Sequence, residues 1–297
     1  MSAGEIDFTT PLTASGNLRR RRVVNLLAES AATIAAVAAV AVLGIVVAGV
    51  VSRGVHAISL DFLTKDPPLF GGPSGGIAPA IVGTALIVGI ATAIAMPTGV
   101  LVAIFLTEFA GPRAGRFIRL ALDVLNGLPS IVIGLFVFGL LVAGRHQSGI
   151  AGSLALAIIM VPLIARASQE MLLLVPQHLR EAADALGVSR WRSIVGVVLP
   201  AALGGIVTGT VLAVARAAGE TAPVLIVCSI FGNQVTMDFF GKAIPNIPVS
   251  IFTLSQAADA SAFTRAWGAA LVLLTFILLA NIGARALLAR SRRKMTR

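Results

Sequence analysis

The chain has 297 residues, of which 57% are hydrophobic and only 12% are charged, about half the charged fraction of a typical soluble domain. Too few charged side chains remain to cover a water-facing surface of this size, which excludes an ordinary soluble enzyme. The single cysteine, Cys228, excludes a disulfide framework and a cysteine-based zinc or iron–sulfur site. The net charge of +10 has to be interpreted from its distribution along the chain.

Long apolar runs divide the sequence. A transmembrane helix needs about 20 predominantly apolar residues to cross about 30 Å of hydrocarbon, and the runs do not alternate strictly in steps of two, which disfavours a membrane β-barrel. We therefore predict an all-α integral membrane protein with six transmembrane helices. In chain order the predicted spans are 30–52, 77–107, 124–144, 147–165, 193–230 and 266–284.

Basic residues set the predicted orientation, because short loops rich in Lys and Arg stay in the cytoplasm. With the N-terminus inside, 17 of the 23 Lys and Arg residues fall on the cytoplasmic side and 5 on the outer side, which leaves only Arg216 within the membrane. This predicts a multi-pass protein of the plasma (inner) membrane with both termini in the cytoplasm. The basicity then reflects orientation and attraction to anionic membrane lipid, and nucleic acid is not an expected partner.

Two regions are predicted on the same basis. Residues 1–29 form a basic cytoplasmic arm, and residues 30–297 form a single transmembrane domain. The first span has 23 residues, whereas the apolar segment of a signal peptide has about 7–15, so we predict an uncleaved anchor.

No segment predicts catalysis by this chain. The sequence has no G-x-x-x-x-G-K-[ST] phosphate loop, no H-E-x-x-H and no C-x-x-C, and its three histidines lie far apart. Gly72–Gly76 matches G-x-S-x-G, but that motif requires a strand-to-helix turn, and here it precedes a membrane helix, so we interpret it as a turn. We expect no catalytic residue, no metal site and no cofactor bound by this chain.

The predicted cytoplasmic loop between the fourth and fifth spans, residues 177–200, has a helix–turn–helix pattern. Pro176 is suited to opening a helix, and the residues that follow it are good helix formers. Gly187 stands where a left-handed C-terminal cap is expected. A second short helix is predicted from Ser189, with Pro200 at the start of the fifth span.

The first helix of this loop carries small side chains that let another protein surface approach closely. They are Ala182, Ala183 and Ala185. A docking site for a partner protein and an ordinary amphipathic surface linker fit this pattern equally well.

One pair of charges lies inside the predicted fifth span. Arg216 is 16 residues beyond Pro200, about 24 Å along a helix and past the membrane midplane, and Glu220 is expected on the same helical face, where the two can pair. A charge at this depth costs about 2.5–3.5 kcal/mol and usually faces a bundle interior or a water-filled cavity. Because a guanidinium suits a tetrahedral oxyanion, we predict that Arg216 and Glu220 line a substrate pathway. The alternative is a buried ion pair that holds two helices together.

Helix breakers suggest a second wall of that pathway. Asn126, Pro129 and Ser130 fall in the third span, where a proline frees backbone groups that can line a cavity. A simple kink without substrate contact is an equally good interpretation.

Other polar and small residues near the membrane surface give further expectations. Arg166, at the inner end of the fourth span, is a pathway candidate, with a solvated arginine as the alternative. The spacing Gly205-x-x-x-Gly209 predicts a face for close helix packing. Two acid–base pairs are expected at the membrane surface, Glu108 with Arg113 and Asp123 with Arg119.

Several motifs are similar to those of a known family. Glu181-Ala182-Ala183, Gly187 and Leu199-Pro200 stand at the spacing of the EAA loop of ABC importer permeases. Other segments resemble the permeases of the phosphate-specific ABC importer, in particular its PstA-type subunits. These segments are Gly75–Ile77, Gly83-Thr84, Met96–Gly99, Gly127–Gly134 and Arg216–Pro223. They cover about residues 75–225, and the permease module is expected to extend to about residue 286.

The resemblance implies a fold, a function and partners. The implied fold is that of a type I ABC importer permease, and the implied function is to form the channel through which inorganic phosphate enters the cytoplasm. The implied partners are a homologous PstC-type permease subunit, two copies of a cytoplasmic ATP-binding subunit that uses ATP and Mg, and an external phosphate-binding protein. The alternatives are a permease for another oxyanion or small solute such as sulfate or molybdate, an ion-gradient-driven transporter or channel, and a membrane scaffold.

Overall fold

The computed structural model describes residues 18–68, 75–229, 239 and 241–295, and these residues are helical apart from short connections. Most of the predicted N-terminal arm and residues 72–74 of the predicted G-x-S-x-G turn lie outside the described residues. The α-helices in chain order are α1 (Leu18–Gly54), α2 (Leu60–Thr64), α3 (Ala78–Ile104), α4 (Pro112–Gly127), α5 (Ser130–Val137), α6 (Gly149–Leu173), α7 (Gln177–Ala185), α8 (Arg190–Ser193), α9 (Leu199–Ala217), α10 (Ala222–Val227), α11 (Ile247–Ser255) and α12 (Ala260–Met295).

Within the described part of the chain, five helices are long and apolar enough to cross a membrane. They are Arg20–Ala57, Ala78–Phe109, Gly149–Leu173, Arg190–Ala217 and Ala260–Ala286. A sixth span is reached only if α4 and the helical stretch from Ser130 to Val142 count as one, and these two are bent by 99°. The prediction of an all-α membrane protein is confirmed, whereas its six spans require one of them to be broken.

The break in the third predicted span has a local cause. Leu128 closes α4 through its N–H to the Val124 carbonyl, and Pro129, which has no N–H to continue a helix, takes an extended conformation and caps α5. The predicted break at Pro129 is therefore present, but the predicted start of the span at 124 is wrong, because residues 124–127 belong to α4 and the spanning stretch begins at Ser130.

The fifth predicted span also differs from the expected boundaries. One continuous helix runs from Arg190 to Ala217, with a wider π-helical turn at Ile194–Val198 between α8 and α9. Pro200 therefore lies inside this helix and not at its start. The wide turn lies directly before it, and the Leu199 N–H there bonds to the Ile194 carbonyl five residues back. The span ends at Ala217 and not near residue 230, because the chain turns at Ala218 and Gly219 before α10 begins.

The core lies where α3, α6 and α9 pack together around large buried side chains such as Ile87, Leu156 and Met160. The predicted packing face at Gly205 and Gly209 is confirmed: a Cβ on Gly209 would lie 2.5 Å from that of Ala167, and one on Gly205 would overlap Met171. Both neighbours are in α6, so the two glycines allow α9 to lie directly against it.

α9 and α12 run antiparallel. Thr208 of α9 donates a hydrogen bond to the Ala284 carbonyl at 3.3 Å, while Gly219, just beyond α9, lies against Ile277. Going forward along α9 therefore means going backward along α12. The N-terminal end of α12 therefore lies beyond the C-terminal end of α9, on the side away from α7.

The chain forms two compact units, one up to Val51 and one from Ser52 onward. In the first, the described part of α1 is apolar and exposes large side chains along its length, such as Ile34, Leu43 and Ile45. Every residue of the candidate site lies in the second unit.

Candidate functional site

The predicted helix in the loop at 177–200 is present as α7, and it ends in the expected way. Gly187 has φ +70°, the left-handed region that favours glycine. The N–H of Gly187 bonds to the Asp184 carbonyl at 2.9 Å and that of Val188 to the Ala183 carbonyl at 3.1 Å, which satisfies carbonyls at the helix end. The turn leads to Ser189, after which α8 begins.

The two sides of α7 have different surroundings. Ala183 is buried against the rest of the chain, so it is not available to a partner, contrary to its predicted place on the docking side. Glu181, Ala182 and Ala185 are exposed, and Leu186 is 82% exposed. The exposed side of α7 thus carries small and apolar side chains next to Glu181.

Arg180 and Arg190 anchor this loop to the end of another span. Arg180 forms an ion pair with Glu108, which is only 8% exposed, and donates a second hydrogen bond to the Leu172 carbonyl at 2.8 Å. Arg190 lies over the ring of Phe109 at 5.3 Å, in the range of a cation–π contact. Both contacts reach the π-helical turn Phe105–Phe109, which ends the span that begins with α3.

The expected pairing of Glu108 with Arg113 is therefore wrong, and sequence reasoning missed the roles of Arg180, Arg190 and Phe109. The available signal was an acidic residue at the end of an otherwise apolar span. It indicated that Glu108 needs a partner, but the partner is 72 residues away along the chain.

Arg216 and Glu220 form the predicted ion pair. The Arg216 Nε and Glu220 Oε1 atoms are 3.7 Å apart. Glu220 is not on the same helical face, however, because α9 ends at Ala217 and Glu220 lies in the turn that follows. The Arg216 side chain is 58% exposed in this single chain and that of Glu220 is 20% exposed. The pair is thus half-open and does not hold two helices together in a closed core.

Glu220 also lines a small cavity. Thr84, Asn246 and Pro248 also line it, and its volume of about 10 Å³ is enough for about one water molecule. No oxyanion fits there. The Arg216 guanidinium does not line this cavity and is instead open to the surface of the single chain.

The segments around Pro129 and around Glu220 meet through a close helix contact. A Cβ on Gly134 of α5 would lie 2.8 Å from the Cα of Pro223 in α10, so only glycine allows this approach. Asn126 and Pro129 are exposed, and Ser130 is half-buried at the start of α5. The helix that follows the break at Pro129 is thus packed against α10, the helix that follows the Arg216–Glu220 pair.

Arg166 is tied to a neighbouring helix. It forms an ion pair with Asp123 of α4, and both side chains are about half exposed. The expected pairing of Asp123 with Arg119 is therefore wrong. The partner holds the Arg166 guanidinium beside α4, and this contact links α6 to the helix that precedes the break.

Several known sequences are similar to this chain. Residues 95–293 match the family described as binding-protein-dependent transport system inner membrane component. Phosphate transport system permease protein PstA of Xylella fastidiosa (strain Temecula1) is 39% identical over 94% of this chain and 98% of its own length. PstA 1 of Mycobacterium tuberculosis (strain CDC 1551) is 42% identical over 71% of this chain and 70% of its own length, and PstA of Yersinia pestis is 40% identical over 82% of each.

Solved structures show the same fold. A chain of the MetNI methionine ABC transporter in an inward-facing conformation superposes with a TM-score of 0.54 at 18% identity, over 71% of this chain and 94% of that one. A chain of an amino acid ABC transporter gives a TM-score of 0.52 at 18% identity, over 73% and 92%. The chain therefore belongs to the family of binding-protein-dependent transport inner-membrane components and, within it, to the phosphate transport system permease proteins of the PstA type.

Proposed function

We propose that this chain is the channel-forming permease subunit of an ATP-binding-cassette importer and that it moves inorganic phosphate into the cytoplasm. The observation that carries this proposal is the exposed side of α7, with Leu186 uncovered next to the left-handed Gly187. The names of the relatives supply the substrate. The chain itself does not hydrolyse ATP and binds no cofactor; ATP and Mg are used by the partner.

The proposed orientation has both termini in the cytoplasm, in keeping with the excess of Lys and Arg on that side. α7 then faces the cytoplasm, where Glu181, Ala182, Ala185 and Leu186 contact the ATP-binding subunit. The partners are a homologous PstC-type permease subunit, two copies of the ATP-binding subunit and an external phosphate-binding protein. The PstC-type subunit provides a second surface that completes the pathway at the open Arg216.

Two rigid connections transmit movement of α7. Arg180 and Glu108 link it to the span Ala78–Phe109. The helix Arg190–Ala217 continues without a break for about 40 Å, from the loop to Arg216. Closure of the ATP-binding subunits would therefore move both the end of one span and the charged pair at the far end of another, as alternating access requires.

The Arg216 guanidinium suits the substrate chemically. Its planar N–H groups form paired hydrogen bonds to two oxygens of a phosphate. Glu220 at 3.7 Å weakens that attraction, which favours release, because a transport site has to let go of what it binds. Asn126, Pro129 and Ser130 are proposed to line the pathway near the break, and Arg166 to guide anions at its inner end.

Co-purification and uptake test the proposal. The tagged chain is isolated from its native membrane with its partners, placed in liposomes and assayed for ATP-dependent uptake of radiolabelled phosphate in the presence of excess sulfate or molybdate. We expect uptake that requires ATP and the binding protein and is insensitive to both competitors. Uptake of phosphate that proceeds without ATP, or that sulfate suppresses as strongly as unlabelled phosphate does, would contradict it.

A further inference from the structure

A second cavity, lined by several polar side chains, lies at the end of the second unit that is opposite to α7. It has a volume of about 440 Å³, and its walls come from residues 56–65, from Gly75 and from the start of α12. Because α12 runs antiparallel to α9, this end of α12 lies beyond the end of α9 that carries Arg216. The cavity includes none of the residues assigned to transport above.

Arg265 is a buried cation without a partner in the wall of this cavity. The residue is 8% exposed, and its Nε atom is buried with no hydrogen-bond partner. None of the ion pairs in the described part of the chain includes it. Burying an arginine costs several kcal/mol unless an anion compensates it, so an isolated one next to a cavity indicates a missing anion.

The two nearby carboxylates are already engaged elsewhere. Asp61 forms an ion pair with Lys65 at 2.6 Å, and Asp259 accepts hydrogen bonds from the backbone and hydroxyl of Ser261. Those bonds from Ser261, with a smaller contribution from the charge of Arg265, hold the pKa of Asp259 below its usual value. Asp259 thus senses the positive charge but does not pair with it.

Further donors surround the space in front of Arg265. The Ser59 oxygen accepts the Phe62 N–H, which leaves its hydroxyl proton to donate. The Lys65 ammonium has three N–H donors and uses one on Asp61. His56 also lines the cavity, with its Nδ1 atom 3.0 Å from the Ser52 carbonyl.

We infer that this cavity binds a phosphate group, with the Arg265 guanidinium and the Lys65 ammonium as its cationic ligands and Ser59 as a neutral donor. A guanidinium fork matches two oxygens of a phosphate, and a lysine adds a point charge beside it. The cavity holds either free inorganic phosphate with water or the head group of an anionic phospholipid. The inference does not depend on phosphate being the transported substrate.

Thermal unfolding of the purified complex tests the site. All proteins carry Arg216→Ala, so that binding at the proposed pathway does not contribute, and are held in phosphatidylcholine nanodiscs. One arm titrates inorganic phosphate; the other replaces part of the lipid with phosphatidylglycerol. The parent is compared with Arg265→Gln and Lys65→Gln, and the exposed Arg145→Gln is the matched control for the loss of one arginine charge.

We expect the parent and Arg145→Gln to be stabilised by one of the two additions and Arg265→Gln to require at least about tenfold more of it. Without added anion, Arg265→Gln should be at least as stable as the parent, because it removes an uncompensated charge. A response to inorganic phosphate identifies the free anion, and a response to phosphatidylglycerol alone identifies the head group. Lys65→Gln changes an exposed residue and tests the site even if Arg265→Gln does not fold. The inference is overturned if neither addition distinguishes the two site variants from the parent.

Discussion

Arg180 of α7 and Glu108 at the end of the span Ala78–Phe109 form an ion pair across 72 residues of sequence. Glu108 is nearly buried, and Arg180 also bonds the Leu172 carbonyl at the end of α6. One side chain of a surface loop thus contacts the ends of two long helices. We therefore expect a movement of α7 to act on both helix ends through this side chain.

Reversing one charge of this pair should uncouple ATP hydrolysis from transport. Arg180→Glu places two carboxylates together, and loss of the partner of a buried charge costs on the order of 3 kcal/mol. We expect phosphate uptake to fall at least tenfold while the ATP-binding subunit still co-purifies and hydrolyses ATP. Adding Glu108→Arg in the same chain should recover a large part of the uptake, which a purely local loss of stability would not predict.

Arg192→Glu is the matched control, because Arg192 lies in the same loop and is exposed. It should leave uptake near that of the unchanged chain. If the double variant transports no better than either single variant, the ion pair does not carry the coupling.

The ion pairs show which contacts of the site can be predicted from the sequence and which cannot. Arg216 and Glu220 are four residues apart, and their contact was predicted, although a turn after Ala217 and not a continuous helix brings them together. Glu108 and Asp123 also have basic residues nearby in sequence, but each pairs with an arginine of another helix. Those contacts depend on how α4, α6 and α7 pack, which spacing along one helix does not contain.

Removing the Arg216 charge should abolish transport without disturbing assembly. The side chain is mostly exposed in the single chain, so Arg216→Ala removes no core packing, but it removes the cationic ligand proposed for phosphate. We expect uptake to drop at least 100-fold, about 3 kcal/mol, with unchanged co-purification of all partners. Arg145→Ala, which removes another exposed arginine, is the control. Normal uptake by Arg216→Ala would assign the ion pair a structural role only.

The left-handed turn at Gly187 gives a test of α7 itself. A β-branched residue at φ +70° costs about 1–2 kcal/mol, and the helix end would rearrange to avoid it. Gly187→Val should therefore reduce co-purification of the ATP-binding subunit and lower uptake, whereas Gly187→Asn should be tolerated because asparagine visits this region. Equal behaviour of the two variants would show that the turn geometry does not matter for docking.

Close packing between α6 and α9 predicts a sharp difference between two glycines of one helix. An alanine at Gly209 would place its Cβ 2.5 Å from that of Ala167, whereas one at Gly196 meets no atom within 4 Å. Gly209→Ala should lower the free energy of unfolding by about 1–3 kcal/mol, seen as a lower melting temperature in detergent. Gly196→Ala should not, because its Cβ meets open space and alanine favours a helix more than glycine does. A similar loss in both variants would show that the contact with Ala167 is not the cause.

The element boundaries show the second limit of sequence reasoning. Apolar composition located every long helix, but it placed Pro200 at a span boundary and ran the third span through Pro129. A proline stops a helix in one case and lies within it in the other. Pro97 and Pro162 also lie within continuous helices, so a proline in the sequence does not by itself mark the end of a helix.

Cys228 reports on the packing of the segment after α10. It is fully buried, its sulfur accepts the Ile244 N–H at 3.2 Å, and its Cβ lies close to Gly152 of α6. A maleimide should therefore label Cys228 only after denaturation, because the reagent needs an accessible thiolate. In a Cys228→Ala background, Ser255→Cys places a thiol at an exposed position and should label at once in native membranes. Labelling of Cys228 at a comparable rate in native membranes would mean that the contact with Ile244 opens in the working transporter, and the cavity beside Glu220, which α10 and α11 border, would then open with it.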